Sequence, residues 1–226
     1  MVNILVIGDS HAEVFNFCNN KSDLFFKVFS INSISANSSY KYIETFLQKC
    51  KLFNYDYILL MFGEKDCGFG IWNRCRKYNS SIEKEIEKSI ENIFNLANKL
   101  LLYYNPEQII FGGVHLPALG NYLLEKDVFK RATVAGNKLD RTNLTLVFNC
   151  CLRKKSSDLG MKYAEITNFI IDFKTGMVKD YFLRENKNDI HLNFHRIAEY
   201  WIQSIYGKFG NANPGTPSGN STDGFI

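Results

Sequence analysis

The chain has 226 residues, 46% hydrophobic and 22% charged, the balance of an ordinary globular chain with one domain and a sizeable core. Its net charge of +4 is mild, and its Lys and Arg residues form no stripe interleaved with aromatics, so the sequence gives no support to nucleic-acid binding. No apolar stretch reaches the roughly 18 residues needed to span a membrane, and the N-terminus does not read as a signal peptide.

The first elements set the pattern. Val2, Ile4, Leu5, Val6 and Ile7 form a short apolar run that reads as a buried strand, the central one of a parallel sheet. It ends at Gly8-Asp9-Ser10-His11, where a helix is expected to begin, and residues 11–19 carry Val14, Phe15 and Cys18 on one side. Residues 24–31 read as a second strand. Residues 32–37 are a polar loop, and Ile43, Phe46, Leu47 and Cys50 follow with helical spacing. Residues 55–62 read as a third strand running into Gly63-Glu64-Lys65-Asp66-Cys67, and a loop follows.

Ile82, Ile86, Ile90, Ile93, Ala97 and Leu100 then make one apolar stripe. Ser80 or Ser81 can cap this long helix, and its Glu/Lys face is expected in solvent. Residues 108–112 read as a fourth strand ending near His115. Residues 118–134 are hard to read, an extended insertion facing a substrate being one expectation. Residues 138–158 look helical, with Leu144, Val147, Phe148, Cys151 and Leu152 buried. Residues 161–166 read as a fifth strand, Lys174-Thr175-Gly176 as a hairpin turn, and residues 193–206 as the closing helix. Strands alternate with helices throughout. That predicts an α/β fold, a three-layer, doubly wound sandwich with a mostly parallel five-stranded sheet. It would occupy residues 1–206, with 207–226 a disordered tail of Gly, Asn, Pro, Ser and Thr.

Six cysteines lack the spacing of a zinc site. Buried reduced thiols are the expectation, and with them a cytoplasmic location. No cofactor or metal is expected. His191 and His195 are spaced to share a metal from one helix, but no third ligand accompanies them.

Three loops at predicted strand ends carry polar residues, and Asp189-Ile190-His191 stands before the last helix. Ligands of open α/β sheets bind at that edge. A serine early in the chain and a histidine late in it point to a hydrolase. On Gly8-Asp9-Ser10-His11, on Phe62 to Phe69 with Ile71, Trp72, Lys77 and Tyr78, on Asp140 to Asn149, and on Asp189/His191, the chain resembles the SGNH/GDSL hydrolase superfamily. It is similar there to a GDSH variant in a bacterial subgroup associated with polysaccharide biosynthesis. The order of these blocks over residues 3–205 carries the resemblance more than any one motif.

The resemblance implies Ser10 as nucleophile, His191 as its base and Asp189 as the carboxylate that orients the imidazole. It implies oxyanion or substrate contacts from Ser33, Gly63, Lys65 and Asp66, with Asp9 bracing the loop. Three positions depart from the family pattern. Lys65 stands where the third block usually has an Asn donor, and Ser33 aligns with the second-block Gly. The usual acid position holds Asn188, the carboxylate lying one residue later at Asp189. An i, i+2 pair on extended chain points the same way, so Asp189 can still reach His191; otherwise a dyad remains. Ser10 and Asp9 also suit a plain helix cap. His11 reads as a cap or packing residue, Glu64 and Asp66 as loop anchors, and His115 as pocket lining or structure. Arg141 suits either an anionic group or a nearby acid.

The leading expectation is a serine esterase or O-acyltransferase acting on an acyl ester, acetyl by preference, of a small-molecule or glycan substrate. The alternative is a catalytically inactive glycan-binding or scaffold protein of the same fold. An anion cradle at Gly8 to His11 has neither a Walker nor a Rossmann pattern behind it. The stretch Phe69-Gly70-Ile71-Trp72 looks exposed and suits a lid, a sugar-stacking platform or a dimer contact. Oligomeric state is not legible in the sequence.

Overall fold

The structure is a computed structural model that describes residues 1–19, 21–51, 54–119, 136–186 and 189–209. Its centre is a five-stranded parallel sheet with the order β2-β1-β3-β4-β5. The strands are β1 (Val2–Gly8), β2 (Leu24–Ser30), β3 (Tyr57–Met61), β4 (Ile109–Gly112) and β5 (Lys162–Ala164). Alternate side chains of β1, β3 and β4 enter opposite layers, which is why these strands are apolar on both faces. Leu5, Ile7, Ile58, Leu60, Ile109 and Phe111 pack in one layer with helices α1 (Ile43–Lys51), α3 (Ile82–Leu100) and α4 (Lys138–Asp158). Ile4, Val6, Leu59, Met61 and Ile110 pack in the other, against the 3-10 helix Ser10–Phe17 and the last long helix, α6 (Phe194–Tyr206).

This architecture agrees with the sequence expectation, and the elements refine it. The first helix forms as a 3-10 helix over Ser10–Phe17, opened by Asp9, whose carboxylate accepts from the His11 N–H. Gly8 is required where it stands, since a Cβ there would lie 2.2 Å from the Met61 carbonyl oxygen of the neighbouring strand. The fifth strand is shorter than expected, Lys162–Ala164. The hairpin turn is present, joining β6 (Ile171–Asp172) to β7 (Met177–Val178) with Gly176 at φ 69°; the short helix α5 (Thr167–Ile170) precedes it.

Four expectations need correction. The stretch Phe69 to Trp72 is packed rather than exposed: a π turn over Asp66–Gly70 continues into α2 (Ile71–Tyr78), with Gly70 and Ile71 buried. Glu85, on the face of α3 expected in solvent, is buried because Arg74 of α2 reaches it at 2.6 Å and Ser80 donates to its other oxygen. Ser81 caps this helix instead. On α4 Val147 is half exposed and Cys151 exposed, because the inward face carries Thr142, Thr145 and Asn149 beside Leu144, Phe148 and Leu152. Asn149 gives that polar face its purpose: its side chain accepts from Val114 N–H at 2.8 Å and donates to Val114 C=O at 3.0 Å, satisfying the chain beyond β4. Of the six cysteines only Cys18, Cys50 and Cys67 are buried. The expected insertion lies mostly, and the tail almost wholly, outside the described residues, as does Asn188.

Candidate active site

The chain leaves β1, lays the 3-10 helix on one face of the sheet, returns through β2, and crosses β1 to enter β3. The connection from β2 to β3, through α1, already lies on the opposite face, and α2 and α3 after β3 stay there. The loops after β1 and β3 therefore part at the C-terminal edge, the topological switch point where ligands of such sheets bind. Ser10 follows β1 there, and the loop before α6 comes down over it.

Ser10 Oγ lies 2.8 Å from His191 Nε2 across a separation of 181 residues. His191 Nδ1 lies 2.7 Å from Asp189 Oδ1. The same oxygen accepts from the backbone N–H of His191 at 2.8 Å, so one carboxylate fixes both the segment and the ring. The shifted carboxylate thus reaches the imidazole, though across a bend at Ile190 and His191 rather than along extended chain. Arg184, which the sequence reading did not single out, donates to the other oxygen of Asp189 at 2.8 Å and to the Leu192 carbonyl, with its guanidinium over the Phe194 ring. Burial would raise the Asp189 carboxyl, but the bonds from His191 and the charge of Arg184 hold it below the usual carboxylate range. Hydroxyl, imidazole and carboxylate stand in series, the order in which a proton can leave the hydroxyl and the resulting cation be stabilised.

The other candidates divide. Ser33 has φ 63°, a left-handed backbone that a Gly adopts without cost, and its carbonyl accepts from the Lys65 ammonium. Lys65 therefore ties the loop after β3 to the loop after β2. Among the described residues no hydrogen bond uses the N–H of Ser10 or of Ser33. Gly63, at φ 124°, is buried and shapes the turn: a Cβ there would lie 2.7 Å from Val114 and 3.0 Å from Phe148. Asp66 is fully buried, its carboxylate accepting from Ala36 N–H, Arg74 and Ser89, and it anchors the loop after β2.

Behind His191 lies a buried polar cluster. The His11 ring is stacked obliquely on His191, 4.4 Å between centroids, and meets His115 edge-on at 5.5 Å. Asp9 and Glu64 present oxygens 3.5 and 3.8 Å from His11 Nδ1. Burial acts to strip the proton from His11, but together Glu64, Asp9 and the Ile190 carbonyl prevail and push it up to about 9. Burial and the nearby His11 charge lower His191, against the pull of Asp189. His115 is buried, takes the Trp201 indole N–H on Nε2 at 2.9 Å, and is driven well below the ordinary histidine range. His195 is exposed and packs edge-on against Phe17. Among the described residues no three His, Cys, Asp or Glu side chains stand together as a metal site, and no helix is long and apolar enough to cross a membrane.

No family model matches the sequence, and no curated protein matches it at a significant level. Solved structures do match in fold. A GDSL-like lipase from Bacteroides thetaiotaomicron is 10% identical with a TM-score of 0.59, the match covering 91% of this chain and 88% of that one. The lipase Lip_vut3 from a goat rumen metagenome is 10% identical with a TM-score of 0.60 over 92% and 98% of the two chains. A psychrotrophic esterase from Pseudoalteromonas, in a structure inhibited by monoethylphosphonate, is 12% identical with a TM-score of 0.54 over 92% and 98%. The chain has the fold these lipolytic hydrolases share.

Proposed function

We propose that this protein is a serine ester hydrolase whose nucleophile is Ser10, with His191 as general base and Asp189 as the group that orients it. One observation carries the reading: the unbroken series Ser10 Oγ, His191 Nε2, His191 Nδ1 and Asp189 Oδ1, with links of 2.8 and 2.7 Å, at the switch point of the sheet. The lipases and esterase that share the fold support it. His191 takes the hydroxyl proton as Ser10 Oγ attacks the ester carbonyl, then gives that proton to the departing alcohol. Water repeats the cycle on the acyl-enzyme and regenerates Ser10. The tetrahedral oxyanion needs donors fixed in advance. The N–H groups of Ser10 and Ser33, which no hydrogen bond among the described residues uses, with the Lys65 ammonium on the Ser33 carbonyl, are the donors we assign.

For the substrate we carry an acyl ester of a carbohydrate, acetyl by preference, on the resemblance of the sequence blocks. Transfer to a second hydroxyl shares the same acyl-enzyme, so an acceptor alcohol in place of water would make the protein an O-acyltransferase. We place the activity in residues 1–206.

The test is covalent labelling by a fluorophosphonate, read by intact mass on the wild type, Ser10→Ala and His191→Ala. The expected result is one adduct on the wild type and none on either variant. Folded wild-type protein that takes no label would overturn the reading and favour the inactive, glycan-binding alternative.

A further inference from the structure

His11 is a buried ionisable group for which the proposed reaction has no use. We propose that it is a positioning residue: a buried imidazolium, balanced by Asp9 and Glu64 and stacked on His191, that keeps His191 in the neutral form able to take the proton of Ser10. This rests on the reading of Ser10 and His191 as nucleophile and base.

The geometry argues for charge on His11 and against charge on its neighbours. Its Nε2 lies 3.4 Å from the Ile190 carbonyl, an acceptor, so that nitrogen carries a proton. Its Nδ1 faces two carboxylates at 3.5 and 3.8 Å, distances over which attraction acts without a hydrogen bond. His115 cannot share the role, because its Nε2 accepts from the Trp201 indole, which suits a neutral ring. Of the groups facing His11, Asp9 comes from its own loop, Glu64 from the loop after β3, His115 from the chain after β4, and His191 from the segment before α6. Arg141 of α4 acts on Glu64 from behind, and Arg184 acts on Asp189. A second cation on His191 would stack against the first, 4.4 Å away, with little water between them to screen it. The free site therefore resists protonation of its base in mild acid. During turnover the His191 cation formed from the Ser10 proton passes it readily to the leaving alkoxide oxygen.

The experiment is an NMR titration of the imidazole nitrogens, tractable because the chain has four histidines, run beside the pH profile of fluorophosphonate labelling. In His11→Asn the midpoint of His191 should move to higher pH, and the acid limb of labelling should move with it. Glu64→Gln keeps His11 in place but removes part of what holds its charge, so the His11 midpoint should fall and that of His191 should rise. This second variant covers the case in which His11→Asn does not fold. A purely structural His11 would change labelling by a constant factor at every pH. If the His191 midpoint stays put in the folded variants, the proposal is wrong while the assignment of Ser10 stands. Wild type that resists the probe at every pH overturns that assignment instead.

Discussion

Single residues decide whether the site works. One oxygen of Asp189 accepts from both the ring and the backbone N–H of His191 and the other from Arg184, so the amide of Asp189→Asn must set its NH2 against one of these donors. Against Arg184 it leaves the imidazolium without its counter-charge; against His191 it favours the wrong tautomer. By analogy with triad enzymes the turnover rate should fall on the order of 10⁴-fold, with little change in melting temperature, as measured by ester hydrolysis beside thermal melting. Ser33 gives the opposite kind of test. It holds a left-handed backbone that costs an L-residue roughly 1–2 kcal/mol, against roughly 0.5–1 kcal/mol of extra chain entropy for a glycine. Ser33→Gly should therefore be neutral to stabilising by up to about 1 kcal/mol in chemical denaturation. Labelling of Ser10 should survive it, since only the backbone N–H is assigned a role.

At the scale of elements, the loops that carry the site are laced together by buried charge. Arg74 on α2 bridges Asp66 in the π turn at 3.0 Å and Glu85 on α3 at 2.6 Å, and Asp66 in turn receives the N–H groups of Ala36 and Asn37. Removing the cation leaves two buried carboxylates facing each other. Arg74→Ala should cost about 3–5 kcal/mol in urea unfolding, and the loop bearing Ser33 should exchange its amide hydrogens faster. Long elements were legible from the sequence because burial marks them: β1 and β3, covered on both faces, read as unbroken apolar runs, and α3 and α6 carry a helical period. Helix α2 was not: its stretch reads as a loop, and Arg74 finds its place only when Asp66 and Glu85 are brought beside it. The inward face of α4 misled for a related reason. Asn149 is buried to satisfy a backbone segment 35 residues away, which no local pattern announces.

For the whole molecule, pH couples the cluster to stability. His11 holds its proton up to about pH 9 when folded, against about 6.5 in an unfolded chain. The native state thus binds the extra proton between those values. The stabilisation is complete below the unfolded value and is lost as pH rises through about 9. His115 has the opposite sign: the folded chain refuses a proton that the unfolded chain accepts, so its contribution falls as pH drops below about 6.5. Melting temperatures taken from about pH 6 to about pH 10 should decline more steeply in wild type than in His11→Asn, and equal slopes would contradict the charge assigned here. The sequence led to Ser10, His191 and Asp189 because four blocks in order suffice for that. It left His11 as a cap or packing residue, since its partners arrive from separate loops that only the sheet brings together.

The contact between Ser10 and His191 also dates the site within the life of the chain. One partner leaves the ribosome some 181 residues before the other. At roughly 5–20 residues per second, the nucleophile waits about 10–40 s for its base. During that interval the first strands can pair, yet the hydroxyl has nothing to accept its proton. On the proposed reading of Ser10 and His191, a chain ended before residue 191 is therefore chemically silent.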